Sequence, residues 1–378
     1  MTIILKDRYG NFPNTADGIP PNYNFEIAKT LTTIHKLQPK SIFMQYPDGL
    51  LSYAPIIIDL IHLYFPDINI TILNDVVYGA CCVDDHYKCD LLIHYGHSCL
   101  ISVADMNVRV LYIFVEIAID IDHIVSIINK LQENKKCSII GTIQFNRAVN
   151  KVGRMSGAVV PQALPLSRGE VLGCTSPSIN TDICLYIGDG RFHLEAAMIK
   201  NRNVEFYKYC PFSKKVTREY YENDKMMENR QREIEKFYRG KRCNLGGCGK
   251  KCEGSCKNLQ GDLKLSPGIV KNVGIILSGL GKQGNILLFN RVIKHLEMNG
   301  FNCYKIVIDE INEDILDRYS FCDAFVQIGC PRLSIDWGNT YCKPLLNSYE
   351  VLGEIGNKYE MDYYDKERNS RWGMYNRE

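Results

Sequence analysis

Three of the sixteen cysteines stand just past a glycine where an apolar run ends: Cys81 in VVYGACC, Cys174 in GEVLGCTSP and Cys330 in AFVQIGCPRLS. A thiolate is a nucleophile and a metal ligand, and three of them leave one coordination position open on either of two guests. A closed structural zinc site takes four protein ligands. An iron–sulfur cluster also normally takes four cysteines, so three would leave one iron able to bind a substrate. The spacing does not choose between these metals, because none of the three lies in a compact CxxC pair or CxxxCxxC run. The plainer alternative is three unrelated thiols packed as small hydrophobes. That is our reading for Cys137, Cys184, Cys303 and Cys322, which lie in or beside apolar runs.

What must position the three thiols is a unit written three times. An apolar strand opens into a polar or glycine-rich turn and then an amphipathic helix in residues 41–64, 138–153 and 272–297. Later in each copy a second apolar strand ends at a marker glycine: Gly96, Gly188 and Gly329. Strands alternating with helices imply parallel sheets covered by helices on both faces. A repeat of this size points to related domains, not a solenoid. The expected fold is therefore α/β, with three homologous domains, each a small parallel sheet flanked by helices, around a shared central site. The expected boundaries are a tail over 1–21, repeats over 22–107 and 108–213, and a long helix plus third repeat over 214–378, with a Cys-rich insert at 241–266. The stretch 215–240 reads as one long helix capped by Thr217, with Tyr220, Met227, Ile234 and Tyr238 as its core stripe. In open parallel sheets ligands gather beyond the carboxyl ends of the strands. Cys81 lies 15 residues before Gly96 and Cys174 lies 14 before Gly188, so both occupy one place in their repeats. Cys330 directly follows its marker glycine, departing from that spacing but still at a strand end.

The bulk composition fits a globular chain, with 46% hydrophobic and 23% charged residues. A formal net charge of +2 gives no long-range pull on nucleic acid or on an anionic membrane. No apolar run reaches the roughly 20 residues that span a bilayer, and the amino-terminal apolar stretch is too short for a signal peptide. Sixteen cysteines are many for a reducing compartment, where disulfides rarely persist. A soluble, cytoplasmic protein is expected.

The motifs NYNFEIAKT, QYPDGL, YGACCVDD, HYGHSCL, LGCTSP, GDGRFHLE and GCPRLSIDWG, in that order from about Pro20 to Tyr363, resemble the diphthamide synthase family. Its eukaryotic first subunit is the closer likeness, on HYGHSCL, LGCTSP and GCPRLSIDWG. The resemblance implies that Cys81, Cys174 and Cys330 ligate a [4Fe-4S] cluster with S-adenosylmethionine as substrate on the open iron. It implies radical transfer of the 3-amino-3-carboxypropyl group to C2 of a histidine in translation elongation factor 2. Imidazole C2 is a poor nucleophile, and a radical sidesteps competition from the ring nitrogens. The resemblance also implies a related second subunit, or a homodimer, and a small iron-carrying electron donor.

Further candidates follow from position. Gly188, Asp189, Gly190 and His193 of the GDGRFH loop leave a strand end and should face the cofactor, although Asp189 could instead hydrogen-bond its own turn. Gln45 and Asp48 occupy the equivalent turn of the first repeat, where Asp48 also suits a helix cap. His94 and His97 read as packed, hydrogen-bonded residues, and Cys82 and Cys99 as bystanders. SGLGKQGN carries G-x-G-x-x-G at Gly279, Gly281 and Gly284, with Asp309 ending the next strand, which alone suggests a dinucleotide fold. The first repeat lacks that glycine pattern, so Gly279 and Gly281 are read as a wall of the shared site. Cys243, Cys248, Cys252 and Cys256 form a separate cluster whose spacing matches no standard zinc knuckle, leaving a second metal site or a surface insertion open. Two rival functions remain: a quinolinate-synthase-like cluster dehydratase, and a non-catalytic assembly subunit holding zinc.

Overall fold

The computed structural model describes residues 12–73, 83–98, 100–239, 271–279, 283–353, 356, 358–367 and 369–375. A short ribbon strand β1 (Tyr23–Asn24) precedes the first sheet, built from β2 (Ser41–Gln45), β3 (Asn69–Leu73), β4 (Leu91–Tyr95) and β5 (Val110–Ile113) in the order β3-β2-β4-β5, all parallel. Strand β6 (Glu116–Ile117) returns antiparallel to β1. The second sheet joins β7 (Cys137–Gly141), β8 (Ile183–Ile187), β9 (Glu205–Cys210) and β10 (Lys215–Glu219) in chain order, with only β10 antiparallel. The third runs β12-β11-β13-β14, from β11 (Asn272–Ser278), β12 (Asn302–Ile308), β13 (Ala324–Ile328) and β14 (Leu345–Asn347), all parallel.

The fold is α/β, with small, mostly parallel sheets flanked by helices. The first and third sheets share one order, with the second strand outside the first and the third on its inner side. The second sheet follows the same plan. Along the outer edge of β7, where a second strand would lie, the chain makes parallel bridges at Ser138↔Val159 and Gly141↔Glu170. Reversal of strand order beside the first strand opens a crevice at the carboxyl ends. The chemistry of the strands matches: β4 (LLIHY), β8 (ICLYI) and β13 (AFVQI) are buried at every residue, as strands covered on both faces must be, while edge strand β3 is mostly exposed. Each of the three ends one residue before a marker glycine. The expected first helices also form, at Ala54–Tyr64, Asn146–Ser156 and Ile286–Met298. Sheet pairing extends past two expected repeat edges, since β5 lies beyond residue 107 and β10 beyond residue 213.

The long helix begins later than expected, at Asn223. Thr217 is no cap: it sits within β10, paired with Lys208 of β9. Val216 and Thr217 are β-branched, and the Cys210–Lys215 turn brings a partner strand whose hydrogen bonds outcompete local helix formation. Tyr220 is consequently exposed, and the buried face of the helix is Met226, Arg230, Glu233, Ile234, Phe237 and Tyr238.

The described residues fall into two compact units. One comprises those within Met1–Asn223, Gly279–Gly284 and Ile355–Glu378, and the other those within Asp224–Ser278 and Asn285–Glu354. Inside the second unit a buried ion pair ties the long helix to the third sheet. Arg230 donates from Nε and a terminal nitrogen to the two oxygens of Glu350 at 2.5 and 2.8 Å, and to the carbonyls of Ser334 and Leu345 at 2.8 Å each. Glu350 also completes a capping box with Asn347 at the start of the Ser348–Leu352 helix. Inside the first unit, the carboxyl ends of the first two sheets touch. Gln144, after β7, donates to the carbonyl of Gly96, after β4, and the Ser98 hydroxyl donates to Glu170. Glu170 is buried, and burial pushes its carboxyl up to about 7 although hydrogen bonds from Ser167 favour the ionised form.

Two outcomes follow from these buried charges. Glu350→Ala strands the Arg230 guanidinium, so urea unfolding should show a loss of about 3 to 5 kcal/mol. Glu170 holds its proton more tightly folded than unfolded, so its contribution is complete below its ordinary pKa near 4.5 and is lost as pH rises through about 7. Denaturation of the wild type and Glu170→Gln across that window should show the wild type losing stability relative to the variant, on the order of 3 kcal/mol.

Candidate functional site

Residues 171–176 leave the outer edge of the second sheet and turn back between Leu172 and Thr175, which exchange backbone hydrogen bonds at 2.9 and 3.4 Å. Cys174 stands in this turn, 4% exposed and in no disulfide. The residue before it, Gly173, is a glycine, and a Cβ there would lie 2.1 Å from the ring of Phe192 as it is placed. Phe192 belongs to the GDGRFH segment, so that segment packs directly against the thiol loop. The Thr175 hydroxyl donates toward Cys174 Sγ at 3.8 Å. Its oxygen in turn accepts the backbone N–H of Tyr364 at 3.1 Å. The buried ammonium of Lys200 holds the Ser176 carbonyl at 2.6 Å.

Tyr364 reveals something the sequence reading missed. Residues 361–364 lie antiparallel along the thiol loop, with an isolated bridge at Thr175↔Asp362. The Ser176 N–H donates to the Met361 carbonyl at 2.8 Å, and the Tyr363 N–H to the Cys174 carbonyl at 3.4 Å. Tyr359, Met361, Asp362, Tyr363 and Tyr364 are all buried. The Asp362 carboxylate accepts from Trp372 Nε1 at 2.9 Å and Ser370 Oγ at 3.1 Å, folding the segment back on itself. The only hint in the sequence is the density of aromatic residues in YEMDYY and RWGMY.

In the first repeat, Gln45 ends β2, and its Oε1 faces both the Asp84 N–H at 3.1 Å and His94 Nδ1 at 3.0 Å. That contact accounts for a polar residue inside the buried strand β4. The rings of His94 and His97 lie 5.4 Å apart, packed as expected. Asp48 is not a cap: Pro47 holds that position, and Asp48 lies exposed in the first turn of the short 3-10 helix that follows. The capping geometry falls one residue early because the proline already fixes the extended backbone there.

In the GDGRFH segment, Gly188 is buried, its N–H bonded to the Tyr209 carbonyl at 3.1 Å. Asp189 is exposed and accepts from the Gly190 N–H at 2.9 Å, the local turn bond. His193 is half-buried in the second position of the Phe192–Lys200 helix. Gly279 immediately follows β11, and exposed Asp309 immediately follows β12. Cys330 follows Gly329 at the end of β13 and holds the N-cap position of the Pro331–Trp337 helix. Its carbonyl accepts from the buried Gln327 side chain at 2.8 Å. Cys81, Cys82, Cys99, Gly281 and the four cysteines of the insert lie outside the described residues. Among the described residues no group of three His, Cys, Asp or Glu side chains is gathered to hold a metal ion.

Cys137, Cys184, Cys303 and Cys322 behave as packing groups. Burial pushes Cys137, Cys303 and Cys322 up to about 11, and Cys184 well above its ordinary range, so these thiols stay protonated at neutral pH. Cys330 differs in standing at the carboxyl end of β13, and Cys174 in standing in the turn that follows the isolated Gly141↔Glu170 bridge, with backbone turns rather than sheet around them. Each is separately a thiol in no disulfide, the donor type an iron–sulfur cluster takes, and Cys174 has a hydroxyl directed at its sulfur.

Comparison with known proteins agrees with this architecture. Residues 46–246 and 269–364 match the family model for diphthamide synthesis proteins. The 2-(3-amino-3-carboxypropyl)histidine synthase subunit 1 of Encephalitozoon cuniculi is 44% identical, over 99% of both chains. The protein of the same name from Yarrowia lipolytica is 41% identical, over 93% of this chain and 78% of the relative. Among solved structures, Dph2 from Pyrococcus horikoshii with a 4Fe-4S cluster superposes with a TM-score of 0.67 at 21% identity, covering 90% of this chain and 93% of that one. At that identity the superposition speaks for the fold, and the near-full-length relatives speak for the family. The family-model match over most of the chain and the near-full-length relatives make the chain a member of the diphthamide synthesis protein family.

Proposed function

We propose that the chain transfers the 3-amino-3-carboxypropyl group of S-adenosylmethionine to C2 of a histidine in translation elongation factor 2, the first step of diphthamide biosynthesis. The observation that carries this reading is the 44% identity, over 99% of both chains, to a protein named for that synthase activity. Cys81, Cys174 and Cys330 are the proposed ligands of a [4Fe-4S] cluster, one thiol from each repeat. When bound, the cluster supplies the electron that makes the sulfonium's S–Cγ bond cleavable. One-electron cleavage of S–Cγ would release methylthioadenosine and leave a radical at Cγ. As the Cγ–C2 bond forms, the ring would give up the C2 hydrogen as a proton and hand back one electron, so that the transfer is redox-neutral overall.

The chain's own residues bind and orient. Burial of Cys174 under Phe192 and the 361–364 segment excludes water from that thiol. The Asp189 carboxylate, exposed at the mouth of the GDGRFH turn, is free of any ordered sheet and suits the substrate's amino group. Gln45 fixes the His94 ring from β2, and Gly188, Gly190, His193, Gly279 and Gly281 are proposed as the remaining walls, with Asp48 further out on the surface. The partners under this reading are a related second subunit or a second copy, the elongation factor as substrate, and a small iron-carrying electron donor. A reducing cytoplasm suits so many thiols.

The test is anaerobic. Wild-type chain, alone and with the second subunit, should contain about four iron and four sulfide and release methylthioadenosine after reduction. Cys81→Ala, Cys174→Ala and Cys330→Ala should each lose iron and turnover together, whereas Cys82→Ala keeps both. Full iron and turnover in Cys330→Ala would remove the ligand assignment. Consumption of dihydroxyacetone phosphate without methylthioadenosine would favour the dehydratase, and a zinc-loaded, colourless chain the assembly subunit.

A further inference from the structure

Thr175 has one hydroxyl proton and is fully buried, at 0% exposure, so no bulk water competes for it. Its oxygen is occupied by the Tyr364 N–H at 3.1 Å, and its proton is directed at Cys174 Sγ at 3.8 Å. The chain of donors therefore runs from the backbone of the carboxyl-terminal segment, through one hydroxyl, to a thiol sulfur. A β-branched side chain in a fixed backbone has few rotamers, and here the backbone is held on both sides. The Leu172–Thr175 turn holds it from one side and the Thr175↔Asp362 bridge from the other. The segment is kept in place by the buried Asp362 carboxylate, bonded to Trp372 and Ser370, and by the Met374 N–H, bonded to the Tyr363 carbonyl at 2.8 Å. Ser370, Trp372 and Met374 all lie beyond residue 364, where the match to the family model stops.

A hydrogen bond to a ligating thiolate withdraws electron density from the sulfur. It stabilises the more negative, reduced form of a cluster more than the oxidised form, and so raises the reduction potential. We propose that Thr175 is a positioning residue for Cys174: its hydroxyl, aimed by the Tyr364 backbone, donates to Sγ and makes a bound cluster easier to reduce. The inference rests on the cluster assignment of the preceding subsection. It adds that the carboxyl-terminal segment reaches the cofactor electronically through one side chain, without contributing a ligand.

The experiment uses the full-length chain, loaded anaerobically, in four forms: wild type, Thr175→Ser, Thr175→Val and Trp372→Phe. Iron and sulfide are counted first. The potential is then read by titration with dithionite, which supplies the single electron, following the paramagnetic resonance of the reduced cluster. Thr175→Val should hold as much iron as wild type but reduce at a more negative potential, and Thr175→Ser should restore the wild-type value. Equal potentials for Val and wild type overturn the proposal. If Thr175→Val fails to hold iron, Trp372→Phe decides, because it loosens Asp362 and leaves Thr175 intact. A shift to more negative potential then supports the proposal, and an unchanged potential overturns it. A wild-type chain that takes up no cluster sinks the functional reading itself, and this inference with it, and is told apart by the iron count.

Discussion

A parallel strand covered by helices on both faces has nowhere to put a polar side chain except past its carboxyl end. In this chain that constraint is met almost without exception by β4, β8 and β13, which are buried at every position. Where it is broken, at His94 in β4 and Gln327 in β13, a neighbouring group supplies the remedy: Gln45 reaches the imidazole at 3.0 Å, and Gln327 donates to the Cys330 carbonyl at 2.8 Å. Everything reactive is consequently displaced to the glycine-led loops: the GDGRFH turn after β8, the Cys174 loop beside it, and Cys330 after β13. The glycines are there because backbones and rings approach closely, as Phe192 does over Gly173.

The second constraint is that polar groups buried near such a site must be fully partnered. Glu170 meets it with Ser98 and Ser167, joining the first two sheets at their carboxyl ends. Asp362 meets it with Trp372 and Ser370, and in doing so seats the carboxyl-terminal segment along the thiol loop. Arg230 and Glu350 meet it in the other unit, where one carboxylate serves an ion pair and a helix cap at once. Such groups contribute little net stability when intact, because desolvation offsets their attraction. They are costly to break, which makes them effective at specifying one arrangement.

These polar contacts also separate two kinds of thiol. Cys137, Cys184 and Cys322 are buried with protonated sulfurs inside or beside strands, and act as small hydrophobes. Cys174 is just as buried, yet its surroundings are a turn, a hydroxyl and a neighbouring peptide chain. Burial alone would not distinguish them, whereas the source of the surrounding hydrogen bonds does.

Local order was readable from residues near one another. The apolar runs, the turns after them and the marker glycines sufficed for the α/β class, for the first helices and for the ends of β4, β8 and β13, because periodicity and turn chemistry act over a few residues. The standing of Cys330 at a strand end was legible for the same reason, whereas the segment expected as a strand before Cys174 forms only the isolated Gly141↔Glu170 bridge. Whatever depended on a distant partner was not. Thr217 became part of a strand because β9 lay alongside it, and Asp48 lost the cap to the rigid backbone of Pro47. The helix buried Arg230 because Glu350, 120 residues away, and the third sheet offered it partners. The docking of residues 361–364 onto the loop at Thr175, about half the chain away, rests largely on donors of the peptide backbone, at Ser176, Tyr363 and Tyr364, that carry no side-chain signature. Only the folded chain could decide it, because a peptide N–H is the same at every position until tertiary structure chooses its acceptor.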